Sequence, residues 1–181
     1  MNHSISKKAP EIAKHIKCVI FDVDGVLTDG SLYFDNNGEE YKAFNAKDGL
    51  GLRLLQKAGI EVAIITGRQS QLVQHRAANL KLSPHMIYQG YSDKRIAYKQ
   101  LLEQTKLSPQ QIAYVGDDLI DLPVMTKVGL AIAVQDAHWF VIKQADWVSQ
   151  YKGGHGAVRE VCEMLLDAQG KLTTIFESYL Q

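Results

Sequence analysis

Two stretches of this chain place carboxylates where an apolar strand runs out. Residues 19–28 read Val-Ile-Phe-Asp-Val-Asp-Gly-Val-Leu-Thr, and residues 114–121 read Tyr-Val-Gly-Asp-Asp-Leu-Ile-Asp. A strand buried on both faces is almost wholly apolar, as Cys18 to Phe21 is. Asp22 and Asp24 at its exit are costly unless a cation joins them, and Gly25 then lets the chain turn sharply. In the second stretch Asp118 or Asp121 could cap a following helix. Three carboxylates in five residues nevertheless exceed what one cap needs. A hard divalent ion accounts for the excess, and magnesium accepts one or two carboxylates together with a phosphate and waters.

Two further strand exits carry groups suited to an oxyanion. Ile64-Ile65-Thr66-Gly67-Arg68 ends in a hydroxyl, a glycine and a guanidinium. Thr66 and the free backbone N–H groups around it suit a tetrahedral anion, although Thr-Gly alone is also an ordinary turn. Lys94 follows Ser92-Asp93 at the start of a helical stretch; taken alone it reads as a solvated surface charge.

The elements that must position these groups alternate along the chain. Apolar strand-like runs recur at Cys18–Phe21, Val62–Thr66, Met86–Tyr88, Ile112–Val115, Leu130–Val134 and Trp147–Val148. Helical spacing fills the intervals: Leu50, Leu54, Leu55 and Ala58; Leu72, Ala77 and Leu80; Ile96, Leu101 and Leu102; Leu119 to Val128; and Ala157, Val161, Met164, Leu165 and Ala168. Alternation of this kind predicts an α/β fold, a parallel sheet flanked by helices with right-handed crossovers. Such sheets bind ligands at the carboxyl ends of their strands, where the four acidic and oxyanion-binding exits lie. One segment interrupts the pattern. Leu32-Tyr33-Phe34 and Tyr41-Lys42-Ala43-Phe44 flank an Asn-Gly turn and predict a β-hairpin within 31–45, projecting beside the pocket. The gaps between the site motifs leave no room for an inserted second domain, so 1–181 is expected to form a single domain with its core at about 16–170.

Twenty basic and twenty acidic residues cancel, which gives no case for a nucleic-acid or membrane partner. The stretch Met1 to Ile16 lacks the apolar run of a secretory signal, so Asn2-His3-Ser4 is not expected to be a glycosylation site. Cys18 and Cys162 lack metal-like spacing and read as buried thiols in a reducing cytoplasm.

Asp22/Asp24, Thr66, Lys94 and Asp117/Asp118, in this order and spacing, resemble the haloacid dehalogenase-like phosphohydrolase superfamily over roughly Ile16 to Gly170. The resemblance implies that Asp22 is a nucleophile forming an aspartyl-phosphate. Asp24 would be the general acid and then base, also lending a carbonyl to the metal. Thr66 and Lys94 would hold the phosphoryl group, and Mg2+ would be bound by Asp22, Asp24 and Asp117 with Asp118 in support. Gly38-Glu39-Glu40-x-Lys42-x-Phe44-Asn45-x-x-Asp48-Gly49 and Gly153-Gly154-x-Gly156-Ala157-Val158-Arg159 look like a cap-less branch of that superfamily acting on the 8-phosphate of a 3-deoxy octulosonate. That branch supplies a lipopolysaccharide precursor. Its members are tetramers in which a neighbouring subunit covers each site.

The same resemblance places sugar contacts on Asp24, Asn45, Ala46, Lys47, Asp48, Gly49, Arg53, Arg68, Arg76 and Lys94. A guanidinium suits a sugar carboxylate, although Arg53 and Arg76 also read as a solvated helix face. Two positions depart from the pattern: Lys47 and His155 stand where arginines are usual. The glycines of 153–156 suit either a closing tail or a plain loop before a helix. A nine-carbon sialic-acid-type 9-phosphate is an alternative substrate. A non-catalytic tetramerisation module is a third reading, and the intact pocket groups argue against it.

Overall fold

A computed structural model describes residues 9–181; Asn2-His3-Ser4 lies outside them. Six strands form one parallel sheet: β1 (Cys18–Phe21), β4 (Glu61–Ile65), β5 (Ile87–Tyr88), β6 (Ile112–Gly116), β7 (Leu130–Ala133) and β8 (Trp147–Val148). Their order is β5-β4-β1-β6-β7-β8. The chain steps one way from β1 through β4 to β5, then returns to start the other half at β6. The direction of winding therefore reverses between β1 and β6, and the crevice at such a point is where open α/β sheets hold ligands. Every residue of β1, β6 and β7 is buried, as a parallel sheet covered on both faces requires.

The helices pack in two groups. On one face α2 (Ala46–Lys57) packs against α7 (Ala157–Ala168), which also meets α1 (Ala9–Ala13); α3 (Gln71–Asn79) joins β4 to β5. On the other, α4 (Lys94–Thr105) packs against α5 (Leu122–Met125). The remaining helices are α6 (Trp139–Gln144) and α8 (Leu172–Glu177), the latter within the C-terminal stretch after Gly170. Side chains cap the helices that open at the site. Asn45 accepts the amides of Lys47 and Asp48, Ser70 that of Leu72, and Asp93 that of Arg95.

Two predicted elements differ in form. The helical spacing over Leu119 to Val128 resolves into a single 3₁₀ turn, Leu119–Asp121, followed by the short α5. Pro123 cannot donate to a continuous ladder from Leu119, and Leu119 and Ile120 lie exposed. The hairpin is present but brief. β2 (Tyr33–Phe34) pairs antiparallel with β3 (Glu40–Tyr41), and the Asp35 carboxylate accepts the Asn37 and Glu39 amides across the turn. Phe44 lies beyond the ribbon, half-buried against the core with the Arg76 guanidinium over its ring.

Candidate active site

The site grows out of strand register. Phe21 is level with Ile64 on one side and Val115 on the other. Asp22 therefore stands level with Ile65 and Gly116, and Thr66 and Asp117 lie one residue further along on either side of it. The carboxylates of Asp22, Asp117 and Asp121 come within 4.8 Å of one another. Gly25 makes this approach possible. Its φ is +92°, and a Cβ there would lie 2.1 Å from Asp117 Oδ2, so both the turn and the contact exclude a side chain.

Lys94 reaches the cluster from the first turn of α4. A cation at a helix N-terminus is electrostatically disfavoured, yet this one is buried with its Nζ 2.8 Å from Asp22 Oδ1 and 2.6 Å from Asp121 Oδ1. Asp121 is fully committed. Its Oδ1 also accepts the Tyr114 hydroxyl at 2.7 Å, and its Oδ2 accepts the amides of Asp117 and Asp118 at 3.0 and 3.2 Å. Asp121 thus anchors Lys94 and the acidic loop, leaving Asp22 and Asp117 as the carboxylates with capacity for a metal. Asp118, expected to support the metal, is exposed and spends its carboxylate on the Leu119 amide. The supporting place next to Lys94 is held by Asp121 instead, because the 3₁₀ turn carries that residue back under the strand end.

Three carboxylates facing one ammonium leave two negative charges in excess. Burial, reinforced by Asp121, pushes the Asp22 carboxyl up to about 7 although Lys94 pulls the other way. Burial, with Asp121 and Asp22, pushes Asp117 up to about 8. Burial also works against the Lys94 ammonium, but Asp22 and Asp121 together outweigh it and raise that group. A doubly positive ion with oxygen ligands would match this excess, and the donor set fits magnesium.

Above this floor sits a looser rim. Asp24 pairs through Oδ1 with Lys42, and its Oδ2 lies 4.0 Å from Arg68 Nε. Glu40 joins the two cations, 3.2 Å from Lys42 Nζ and 2.8 Å from Arg68 Nη2. Thr66 is buried and its hydroxyl accepts the Arg68 amide at 3.4 Å. The glycine-rich loop docks against the first acidic turn. Gly154 donates to Val26 O at 2.9 Å, and a Cβ on Gly153 would lie 1.7 Å from Gly25 O. His155 is exposed and its Nδ1 lies 2.8 Å from Gly153 O.

Several predicted sugar contacts stand elsewhere. Ala46, Gly49, Arg53 and Arg76 line an open depression of about 400 Å³ between α2 and α3, which none of the floor carboxylates lines. Asp48 is buried beneath the first turn of α7, accepting the amides of Gly156 and Arg159; burial raises its carboxyl despite those two bonds. Asn45 donates to Gly154 O at 3.0 Å, and Lys47 is exposed. A cavity of about 920 Å³ opens at the far end of the sheet, by Lys17, Glu61 and Gln111, and no predicted site residue lines it.

Residues 85–161 match the haloacid dehalogenase-like hydrolase family. Over 160 residues the chain is 57% identical to the 3-deoxy-D-manno-octulosonate 8-phosphate phosphatase of Escherichia coli strain K12, covering 88% of this chain and 84% of that one. The chain belongs to this family of phosphatases. A crystal structure of the family's Yersinia pestis member superposes with a TM-score of 0.90 at 50% identity, covering 92% of this chain and 89% of that one. The Moraxella catarrhalis member, in complex with a magnesium ion, a phosphate ion and a KDO molecule, has a TM-score of 0.92 at 40% identity and covers 98% and 99%.

Within this family frame, the residues that sequence reasoning passed over as site members are Asp121, Tyr114, Glu40 and Lys42. Asp121 had a signal, since a third carboxylate after Asp117 and Asp118 needed a purpose. Glu40 and Lys42 had one only in their alternation, which puts both on one face of the ribbon.

Proposed function

We propose that this chain is a magnesium-dependent phosphatase that releases phosphate from 3-deoxy-D-manno-octulosonate 8-phosphate, a step in lipopolysaccharide precursor synthesis. The observation that carries the reading is the buried floor at the β1/β6 crevice, where Asp22, Asp117 and Asp121 outnumber Lys94 by two charges. In this reading Asp22 attacks phosphorus, and the bond from phosphorus to the sugar oxygen breaks as that oxygen takes a proton from Asp24. Water then attacks the aspartyl-phosphate, giving its proton to Asp24 and freeing Asp22. General acid help of this kind is typically worth ~10²–10⁴-fold, and the two-step route is covalent catalysis. Thr66 and Lys94 hold the phosphoryl oxygens. Magnesium, held by Asp22 and Asp117 with the Asp24 carbonyl, supplies the positive charge that lets one anion approach another.

The sugar acid is gripped by Arg68 together with Asn45, Ala46, Lys47, Asp48, Gly49, Arg53 and Arg76. Ala46, Gly49, Arg53 and Arg76 line the α2/α3 depression, and in this reading they serve a site shared between subunits. Assembly as a cytoplasmic homotetramer through the hairpin accords with Leu32, Tyr33, Phe34 and Tyr41, each about half exposed or more. Among the described residues no helix is long and apolar enough to cross a membrane. Phosphate release with and without magnesium tests the reading, using the octulosonate 8-phosphate beside a nine-carbon 9-phosphate. Turnover that requires magnesium and a higher kcat/KM on the eight-carbon ester are expected. Turnover indifferent to magnesium, or a preference for the nine-carbon ester, would overturn it.

A further inference from the structure

Lys42 has a charge and a burial that the reaction as described leaves unused. Its side chain is only 2% exposed, though it stands one residue beyond the short strand β3 on an otherwise open ribbon. The alternation of the strand explains how. Tyr41 points outward and is largely exposed, whereas Glu40 and Lys42 turn inward toward the acidic turn. A lysine is almost never this buried without a partner, and here it has two, Asp24 and Glu40.

We propose that Lys42 is the positioning residue for Asp24, with Glu40 as the brace. The proposal rests on the reading of Asp24 as the proton-transferring group. Asp24 sits inside the Val23–Leu27 turn with extended backbone angles, one residue before Gly25. No helix or strand bond fixes its carboxylate. Two cations do: Lys42 takes one oxygen and Arg68 faces the other. Glu40 bonds both cations, so the four side chains close a ring of alternating charge. Arg68 is 44% exposed, whereas Lys42 is the buried member. The ring ties the hairpin directly to the group that handles the proton.

A group that only aims Asp24 matters in proportion to how badly the leaving oxygen needs a proton. A sugar alkoxide needs one, and a p-nitrophenolate does not. The test compares kcat/KM, which reports leaving-group departure and not the later aspartyl-phosphate hydrolysis that both esters share, for the octulosonate 8-phosphate and for p-nitrophenyl phosphate, with magnesium, in wild type, Lys42→Met, Lys42→Arg and Asp24→Asn. Circular dichroism and thermal melting establish that each variant is folded, and Lys42→Gln replaces Lys42→Met if the latter is not. The expected result is a loss in kcat/KM of ten-fold or more on the sugar ester beyond any loss on the aryl ester in Lys42→Met. Lys42→Arg should recover most of it, because the charge and one donor return. Asp24→Asn should show the same selectivity more strongly. Equal losses in kcat/KM on both esters in Lys42→Met would overturn the positioning role while Asp24→Asn keeps its selectivity. If Asp24→Asn itself slows both esters equally, the reading of Asp24 falls and takes this inference with it.

Discussion

Asp22, Asp117, Asp121 and Lys94 are held by strand ends and buried hydrogen bonds, whereas Asp24, Glu40, Lys42 and Arg68 meet only because a two-residue ribbon folds back over the first turn. Both groups mix acids with bases, but they balance differently. The floor is two charges short of neutral, and burial raises the carboxyls of Asp22 and Asp117. The rim pairs two acids with two cations. Parallel register over-determines the floor, so its repulsion persists in the native state and becomes affinity for a cation. The rim has no such constraint and holds together by its own attraction.

Substituting Asp22 breaks the comparison hardest. Asp22→Asn should cut steady-state phosphate release by at least about 10³-fold, with circular dichroism unchanged. It should also raise the melting temperature of the metal-free protein at pH 8, because it removes one of the mutually repelling charges. A floor built for stability alone would be weakened by the change. Asp121→Ala comes next. It removes one of the two partners of the buried Lys94 and strands three further donors, the Tyr114 hydroxyl and the Asp117 and Asp118 amides, and should lower unfolding free energy by about 3 kcal/mol in urea titrations. Turnover should fall with it, since Lys94 loses its anchor.

A smaller effect sharpens the contrast through pH. In metal-free protein the native Asp22 and Asp117 carboxyls keep protons that the unfolded chain has already lost at about pH 4. The native state therefore binds more protons across this window, and its stability falls as pH rises from about 4 to about 8. Melting should drop by roughly 5 °C between pH 5 and pH 8 without magnesium, and saturating magnesium should abolish the drop.

What could be read from the sequence divides along the same line. The sheet was legible because each strand is a short apolar run closed by a turn residue, and Asp22, Thr66 and Asp117 were legible because such runs end where they must sit. Lys94 needed the fold, since one lysine before a helix carries no signal until two carboxylates are seen around it. Asp118 and Asp121 could not be told apart in sequence. Pro123 breaks the helical spacing, and the resulting 3₁₀ turn decides which carboxylate points inward. Lys42 was hidden because a charged residue in a hairpin ordinarily faces water. The α2/α3 arginines were legible as charge only, and their distance from the floor is a matter of tertiary packing.

In the proposed chemistry Asp22 and Asp117 jointly hold one divalent ion whose charge the site lacks. Calorimetric titration of the metal-free protein with magnesium at pH 7, repeated in buffers of different ionisation enthalpy, tests it most directly. One site per chain is expected, with release of roughly one proton on binding, fading above about pH 9 and lost with the site in Asp117→Ala. Magnesium binding without proton release at pH 7, or undiminished in Asp117→Ala, would contradict it.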